Sequence, residues 1–280
     1  MVRLEDSAHF VGTKIHPTAL VDPGAKLGKN VEVGPFCIVE KGVEIGDNVK
    51  IGPRCTIHEG SIIGDSCTLN EGVIIGMEPQ DLKYKGESTR TIIGRNTQFR
   101  EYSSVERGTL FGDGSTQVGS DCLIMAYSHI AHDCKVGDRV IVTHGAGLAG
   151  HVTVEDRAII GAMAGVHQFC RIGEMAMIGG MAKITGDVPP YLLVDGNPAG
   201  AVGLNSIGLR RNGLGPKVRS ELKKAFRILY REGLTRSKAI EKIAESLEMY
   251  PEVQHFLNFV EQSKRGICPS RSGVEGGSED

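Results

Sequence analysis

Residues 31–60 read VEVGPFCIVEKGVEIGDNVKIGPRCTIHEG. Val33, Val39, Ile45, Ile51 and Ile57 fall six apart, and several are followed directly by glycine. A helix asks for apolar spacings of three and four, and a simple strand for two. A sustained period of six fits neither. It fits short strands joined by tight turns and stacked into a parallel β-helix. Stepping backward reaches Leu27, Val21 and Ile15, and forward Ile63, Leu69 and Ile75, without a miss. A second run covers Val118, Ile124, Ile130, Val136, Val142, Leu148, Val154, Ile160, Val166, Ile172, Ile178 and Ile184.

Composition agrees. There are 38 glycines, no tryptophan and only 5% aromatic residues, so a core filled by large rings is not expected. A net charge of −2 gives no footprint for nucleic acid. The first residues, MVRLEDSAHFVG, lack the apolar core of a signal peptide, and no apolar run reaches the ~18 residues of a membrane span. With seven cysteines and no secretory signal, a reduced, cytoplasmic setting is expected. Cys37, Cys55, Cys67, Cys122, Cys134 and Cys170 all hold the fifth place of their hexapeptides. They read as small packing residues rather than metal ligands, because no C-x2-C spacing occurs.

Residues 77–91, MEPQDLKYKGESTRT, break the period and read as a loop thrown out from the stack; 108–116 make a smaller break. After Ile184 a proline pair and glycines end the repeat. Helices are expected from Pro216, after Thr235 as an N-cap, and from Pro251. The expected organisation is a β-helix over 1–190 with the loop at 77–91, then a connecting segment and helical domain over 191–267. A disordered tail is expected over 268–280.

The stretch YSHIAHDCKVG, 127–137, holds two histidines, an aspartate and a cysteine. It could be a metal site, a base with its orienting carboxylate, or wall filling. The repeat resembles that of the hexapeptide β-helices, whose coils hold three hexapeptides; this resemblance implies that Gly150 lies one coil after His132, His151 one coil after Asp133, and Gln168, beside His167, two coils after His132. His129, His132, Asp133, Gly150, His151, His167 and Gln168 then form one vertical cluster. Isolated histidines such as His9, His16, His58 and His255 read as surface filler.

The ordered set SHIAHDCKVG, LAGHVTVED, VHQFCRIG, QDLKYKGE, DVPPY, GNPA and GLRRNG, with the hexapeptides, resembles the UDP-N-acetylglucosamine O-acyltransferases of lipid A biosynthesis. The match spans almost the whole chain. It implies a left-handed parallel β-helix, all-β, followed by a small α-helical domain, in a homotrimer with active sites between subunits. It implies transfer of an (R)-3-hydroxyacyl group from acyl carrier protein to the 3-hydroxyl of UDP-N-acetylglucosamine, with no metal and no cofactor. His132 matches the family's general base, Asp133 its orienting carboxylate, and the Gly150 N–H its oxyanion donor. His129, His151, His167 and Gln168 match polar residues of the substrate cleft. Gln80, Asp81 and Lys83 match a loop motif reaching toward the sugar and pantetheine region of a neighbouring subunit. Asn205 and Arg211 match positions near the nucleotide. Gly180 matches the residue that ends the acyl groove when it is large, so an open groove for roughly fourteen carbons is expected, each buried CH₂ adding ~0.8 kcal/mol.

Three positions depart from the family pattern. Ile207 stands where glutamate is common, Glu106 where histidine is common, and His144 lies in VTHGAG where an Asn-Asn turn is usual. The related N-acyltransferase carries an extra N-terminal domain, for which repeats starting at residue 15 leave no room. The rival readings are a sister enzyme acting on an amino sugar nucleotide, a zinc enzyme of the gamma-class carbonic anhydrase type, and a noncatalytic scaffold. The zinc reading suffers because the spacing here is H-x2-H rather than H-x4-H. Residues 209–232 are a basic island: Arg210, Arg211, Lys217, Arg219, Lys223, Lys224, Arg227 and Arg231 stand against Glu221 and Glu232. Such a surface suits docking of acidic acyl carrier protein.

Overall fold

The computed structural model describes residues 12–271. Short parallel strands form three walls of a prism, one hexapeptide to each wall in turn. The first wall begins with Lys14–Ile15, the second with Leu20–Val21 and the third with Lys26–Leu27. Lys14 pairs with Glu32 and Ile15 with Val33, so each strand lies against the one a full coil later. The coil is left-handed, as the family resemblance implies.

Two features explain why this sequence coils. Val33, Val39, Ile45, Ile51 and Ile57 point inward and are buried, and the cysteines of the fifth place fill the narrow axis between them. The glycine that follows many of these residues is a matter of clearance. A Cβ on Gly28 would lie 2.5 Å from Asp47 Oδ1 and 2.6 Å from the Gly46 carbonyl carbon on the next coil. Asp47 uses that room to accept from the Lys29 N–H at 2.7 Å, and Asp65 repeats the bond to Asp47 at 2.8 Å. Many corners turn through a residue at positive φ, among them Asn30, Asn48, Asp133 and His151. That conformation costs an L-residue ~1 kcal/mol or more, so the ladders and the core must offset it repeatedly.

The breaks in the period are insertions at one corner. The strand Ile74–Met77 leads into the loop, and Arg90–Ile93 resumes the third wall. A second excursion separates Ser104–Glu106 from Ser115–Val118. Beyond Lys183–Ile184 an antiparallel hairpin, Leu192–Gly196 with Ala199–Leu204, extends the first wall. Four helices follow: α1 (Ser206–Arg211), α2 (Pro216–Arg231), α3 (Arg236–Ser246) and α4 (Pro251–Glu261). Thr235 caps α3 by accepting from the Lys238 N–H. The hairpin and helices cover the end coil, whose strand edges would otherwise stand open.

Two expectations need correction. Residues 268–271, assigned to a disordered tail, are paired to the body. Cys268 N donates to Asp187 O at 2.8 Å, Ala201 N to Pro269 O at 2.7 Å, and Arg271 binds Asp195 at 2.7 Å. The polar composition hid this because the partners, Asp187, Asp195 and Ala201, lie far back along the chain. Residues 272–280 lie outside the described region, as does His9. His255 is not filler: its Nε2 lies 2.8 Å from Glu155 and ties α4 to the third wall. Among the described residues no helix is long and apolar enough to cross a membrane.

Candidate active site

The histidine cluster sits at the corner between the second and third walls. His129 lies on the strand His129–Ile130, and Asp133, His151 and Phe169 turn successive coils there with φ of 60, 62 and 64°. Side chains at equivalent corner places stack along the prism axis. His151 stacks on Phe169 at 4.5 Å between centroids, and His132 meets His151 edge-on at 5.1 Å.

His132 Nδ1 lies 2.8 Å from Asp133 Oδ2. The Asp133 carboxylate is buried and accepts two further bonds, from Thr109 N–H at 2.8 Å and Thr109 Oγ1 at 2.7 Å. Its own N–H donates to Thr116 Oγ1 at 2.8 Å. An ionised carboxylate only accepts, so Nδ1 carries the imidazole proton and Nε2 is left with a lone pair. Beneath the ring is Gly150: a Cβ there would lie 2.6 Å from His132 Cε1 and 2.7 Å from Nε2. Any larger residue would push the imidazole away. The Gly150 N–H makes no protein hydrogen bond among the described residues. A lone pair and an unpaired N–H thus stand side by side.

Around this pair, His129 Nδ1 lies 2.9 Å from Ser104 Oγ, and its Nε2 is 3.5 Å from Glu106 Oε1. Burial holds the His151 imidazole below its ordinary pKa, against the pull of Asp133 3.7 Å away. Cys134 is packing: it is buried, donates to Ala149 O at 3.1 Å, and burial pushes its thiol up to about 12. The ligand atoms of His132, Asp133 and His151 lie within 4.8 Å of one another, close enough to hold a metal ion. In this arrangement Asp133 is already saturated by Thr109 and His132.

An apolar trough of about 420 Å³ runs along the second wall from His129 to His167 and Lys183. Its floor is Gly147 and Gly165, where a Cβ would meet nothing within 4 Å. Glycine there is not demanded by packing and leaves open space. His167 accepts from Arg265 Nη2 at 2.9 Å, and Gln168 is exposed.

The inserted loop folds back along its own chain. Lys83 Nζ lies 5.4 Å over the Phe111 ring, and the Gln80 side chain approaches Glu106. Asp81 and Lys83 both act on His151. The remaining sequence candidates are elsewhere. Gly180 adjoins the corner between the first and second walls, where its Cβ would meet only Ala162 O at 3.4 Å. Asn205 caps α1 through Gly208 N and donates to Met175 O at the third corner; Arg211 ends the same helix. One chain therefore does not bring Gly180, Asn205 or Arg211 to His132. Sequence reasoning missed Thr109 and the contact of Glu106 with His132. The break at 108–116 was visible, but nothing in its composition marked one threonine as the support of the aspartate.

Comparison with known proteins bears on the same residues. The family description "Udp N-acetylglucosamine O-acyltransferase; Domain 2" matches residues 187–268, and bacterial transferase hexapeptide repeats match 42–76 and 115–150. The acyl-[acyl-carrier-protein]–UDP-N-acetylglucosamine O-acyltransferase of Thermodesulfovibrio yellowstonii is 46% identical over 91% of this chain and 99% of its own length. That of Paraburkholderia phytofirmans is 48% identical over 91% and 99%. Among solved structures, the UDP-N-acetylglucosamine acyltransferase of Bacteroides fragilis superposes with a TM-score of 0.89 at 40% identity, covering 90% of this chain and 99% of that one. The Campylobacter jejuni enzyme gives 0.87 at 36%, covering 92% and 100%. With this identity over nearly the full length of relatives whose fold it shares, the chain belongs to the UDP-N-acetylglucosamine O-acyltransferase family and is an acyltransferase.

Proposed function

We propose that the enzyme transfers an (R)-3-hydroxyacyl group from acyl carrier protein to the 3-hydroxyl of UDP-N-acetylglucosamine, the acylation that opens lipid A biosynthesis. One observation carries the mechanism: His132 Nδ1 is fixed 2.8 Å from Asp133, with Gly150 directly beneath the ring. Nε2 takes the proton of the sugar hydroxyl as its oxygen attacks the thioester carbonyl. The Gly150 N–H donates to the carbonyl oxygen as it becomes an oxyanion. Collapse breaks the C–S bond, and the imidazolium returns the proton to the leaving thiolate. No metal or cofactor takes part.

The separation of Gly180 from His132 around the prism supports a homotrimer whose sites lie between subunits, the acyl chain running toward the Gly180 corner of a neighbour. His129, His151, His167 and Gln168 line the cleft in this reading. Gln80, Asp81 and Lys83 contribute from the loop, and Asn205 and Arg211 from a neighbouring chain's nucleotide end. The acyl carrier protein docks on α2, where Ser220, Lys223, Lys224, Arg227 and Arg231 surround a shallow hollow of about 340 Å³ above Phe226. The absence of a membrane-spanning helix among the described residues agrees with work in the cytoplasm.

The test is His132→Ala, assayed with acyl carrier protein donors and a panel of nucleotide sugars. Turnover is expected to fall ~10²–10⁴-fold with the melting temperature unchanged. Near-normal turnover would remove His132 from the chemistry. A wild type that accepts only a 3-amino sugar nucleotide would move the acceptor to the sister reaction.

A further inference from the structure

Glu106 is fully buried, and one of its oxygens has no hydrogen-bond partner among the described residues. Oε2 accepts from the backbone N–H of His132 at 3.0 Å. Oε1 faces His129 Nε2 at 3.5 Å, an ion-pair distance but too long for a good hydrogen bond. A carboxylate that only filled the wall would be a poor choice, because burying its charge is costly and an apolar side chain of similar volume packs as well. Two other buried acids have partners on both oxygens: Asp133 with Thr109 and His132, and Asp187 with Arg171 N and Ser263 Oγ.

The placement is specific. Glu106 ends the strand Ser104–Glu106, and a bulge in the preceding strand pairs it with Met77 at the root of the inserted loop. From there it spans the two histidines of the second wall. Its neighbours His129 and Ser104 already hold each other at 2.9 Å. Burial opposes ionisation of Glu106, but the His129 and Gln80 side chains and the His132 N–H outweigh it, and the carboxyl is held below its usual range.

We propose that Glu106 is a positioning residue for the reaction: Oε2 fixes the backbone from which His132 projects, and Oε1 holds His129 at the mouth of the trough. The proposal rests on the reading of His132 as the base. It makes the charge on Glu106 part of the electrostatic setting of His132. That setting also includes Asp133 on the same turn, His151 from the next coil and His129 from the same wall, with Asp81 and Lys83 acting through His151.

Two variants of the full chain separate the roles. Glu106→Met keeps the volume and loses both oxygens; Glu106→Gln keeps an acceptor for the His132 N–H and loses the charge. Folded Glu106→Met is expected to lose at least ~10-fold in kcat with KM for either substrate changed less than about threefold. Glu106→Gln is expected to recover most of kcat. In it KM for both substrates should also stay within about threefold of wild type, so that any change is confined to kcat. Wild-type kcat in folded Glu106→Met, or a Glu106→Gln that recovers none of the kcat lost in Glu106→Met, overturns the proposal. Should Glu106→Met fail to fold, Glu106→Leu takes its place under the same expectation. His132→Ala, measured in parallel, keeps the two claims apart. Full activity there sinks the base assignment, whereas an inactive His132→Ala beside a fully active Glu106→Met sinks only the role of Glu106.

Discussion

A single absent Cβ sets the geometry of the base. The His132 ring lies where a side chain on Gly150 would be, so Gly150→Ala must tilt the imidazole or shift the coil. We expect kcat to fall by at least ~10²-fold, since about an ångström of misplacement is enough to cost that much, while circular dichroism keeps the β-helix signature; wild-type kcat would refute the close fit. Thr109 is the second lever. Thr109→Val removes one of the bonds to the Asp133 carboxylate and keeps the backbone one. A loss of roughly tenfold in kcat is expected, with KM nearly constant, because only the orientation of the base loosens. His132, Asp133 and Gly150 were legible from arithmetic on an 18-residue coil. Thr109 was not, because an insertion abandons the repeat and with it the register that let one residue locate another.

Secondary elements were legible where they followed a period or a cap. The hexapeptides gave the walls, and Pro216, Thr235 and Pro251 gave the helix starts. The hairpin at 192–204 and the paired segment at 267–271 follow no hexapeptide period and start at no cap, and the partners of the second, Asp187 and Ala201, are distant in the chain. How α4 docks could not be read either, for it depends on His255 meeting Glu155 across the end of the prism. That contact makes docking sensitive to pH. The Glu155 hydrogen bond raises the His255 pKa above its model-peptide value, against the opposing effect of burial. The contribution is therefore complete below about pH 6.5 and is lost as pH rises through the higher folded-state pKa. The melting temperature should fall between pH 6 and pH 8 more in wild type than in His255→Gln; equal falls would discard the coupling. On α2, Lys224 is tied to Glu221 at 2.6 Å, and no acid lies within ion-pair distance of Lys223 among the described residues. Charge reversal at Lys223 should raise KM for acyl carrier protein and flatten its salt dependence with little change in stability. An unchanged donor KM would return that lysine to an ordinary solvated surface.

For the whole molecule, the prism separates two functions around its circumference. The proposed base, His132, is at one corner and Gly180 adjoins another, so in the proposed trimer chain length would be read by a different subunit from the one that supplies the base. Gly180→Met is expected to leave the trimer intact, abolish use of long 3-hydroxyacyl donors and raise relative use of short ones. Equal loss with all donors would mean that glycine is needed there for the backbone alone. The walls of the prism were plain in the period of the sequence; how copies of it would meet came only from the family resemblance. The stacked cysteines have a further consequence. Six buried thiols lie along the repeat from Cys37 to Cys170, and a seventh, Cys268, meets Tyr230 of α2; a hydrogen bond with Cys55 lowers Cys37 to about 7, but burial pushes Cys67, Cys122 and Cys170 up to about 11 and Cys134 and Cys268 to about 12. A thiol so protonated and enclosed reacts with an alkylating reagent only when its own coil opens. The native chain thus carries a graduated set of clocks, and the order in which they are marked records, coil by coil, where the prism first comes apart.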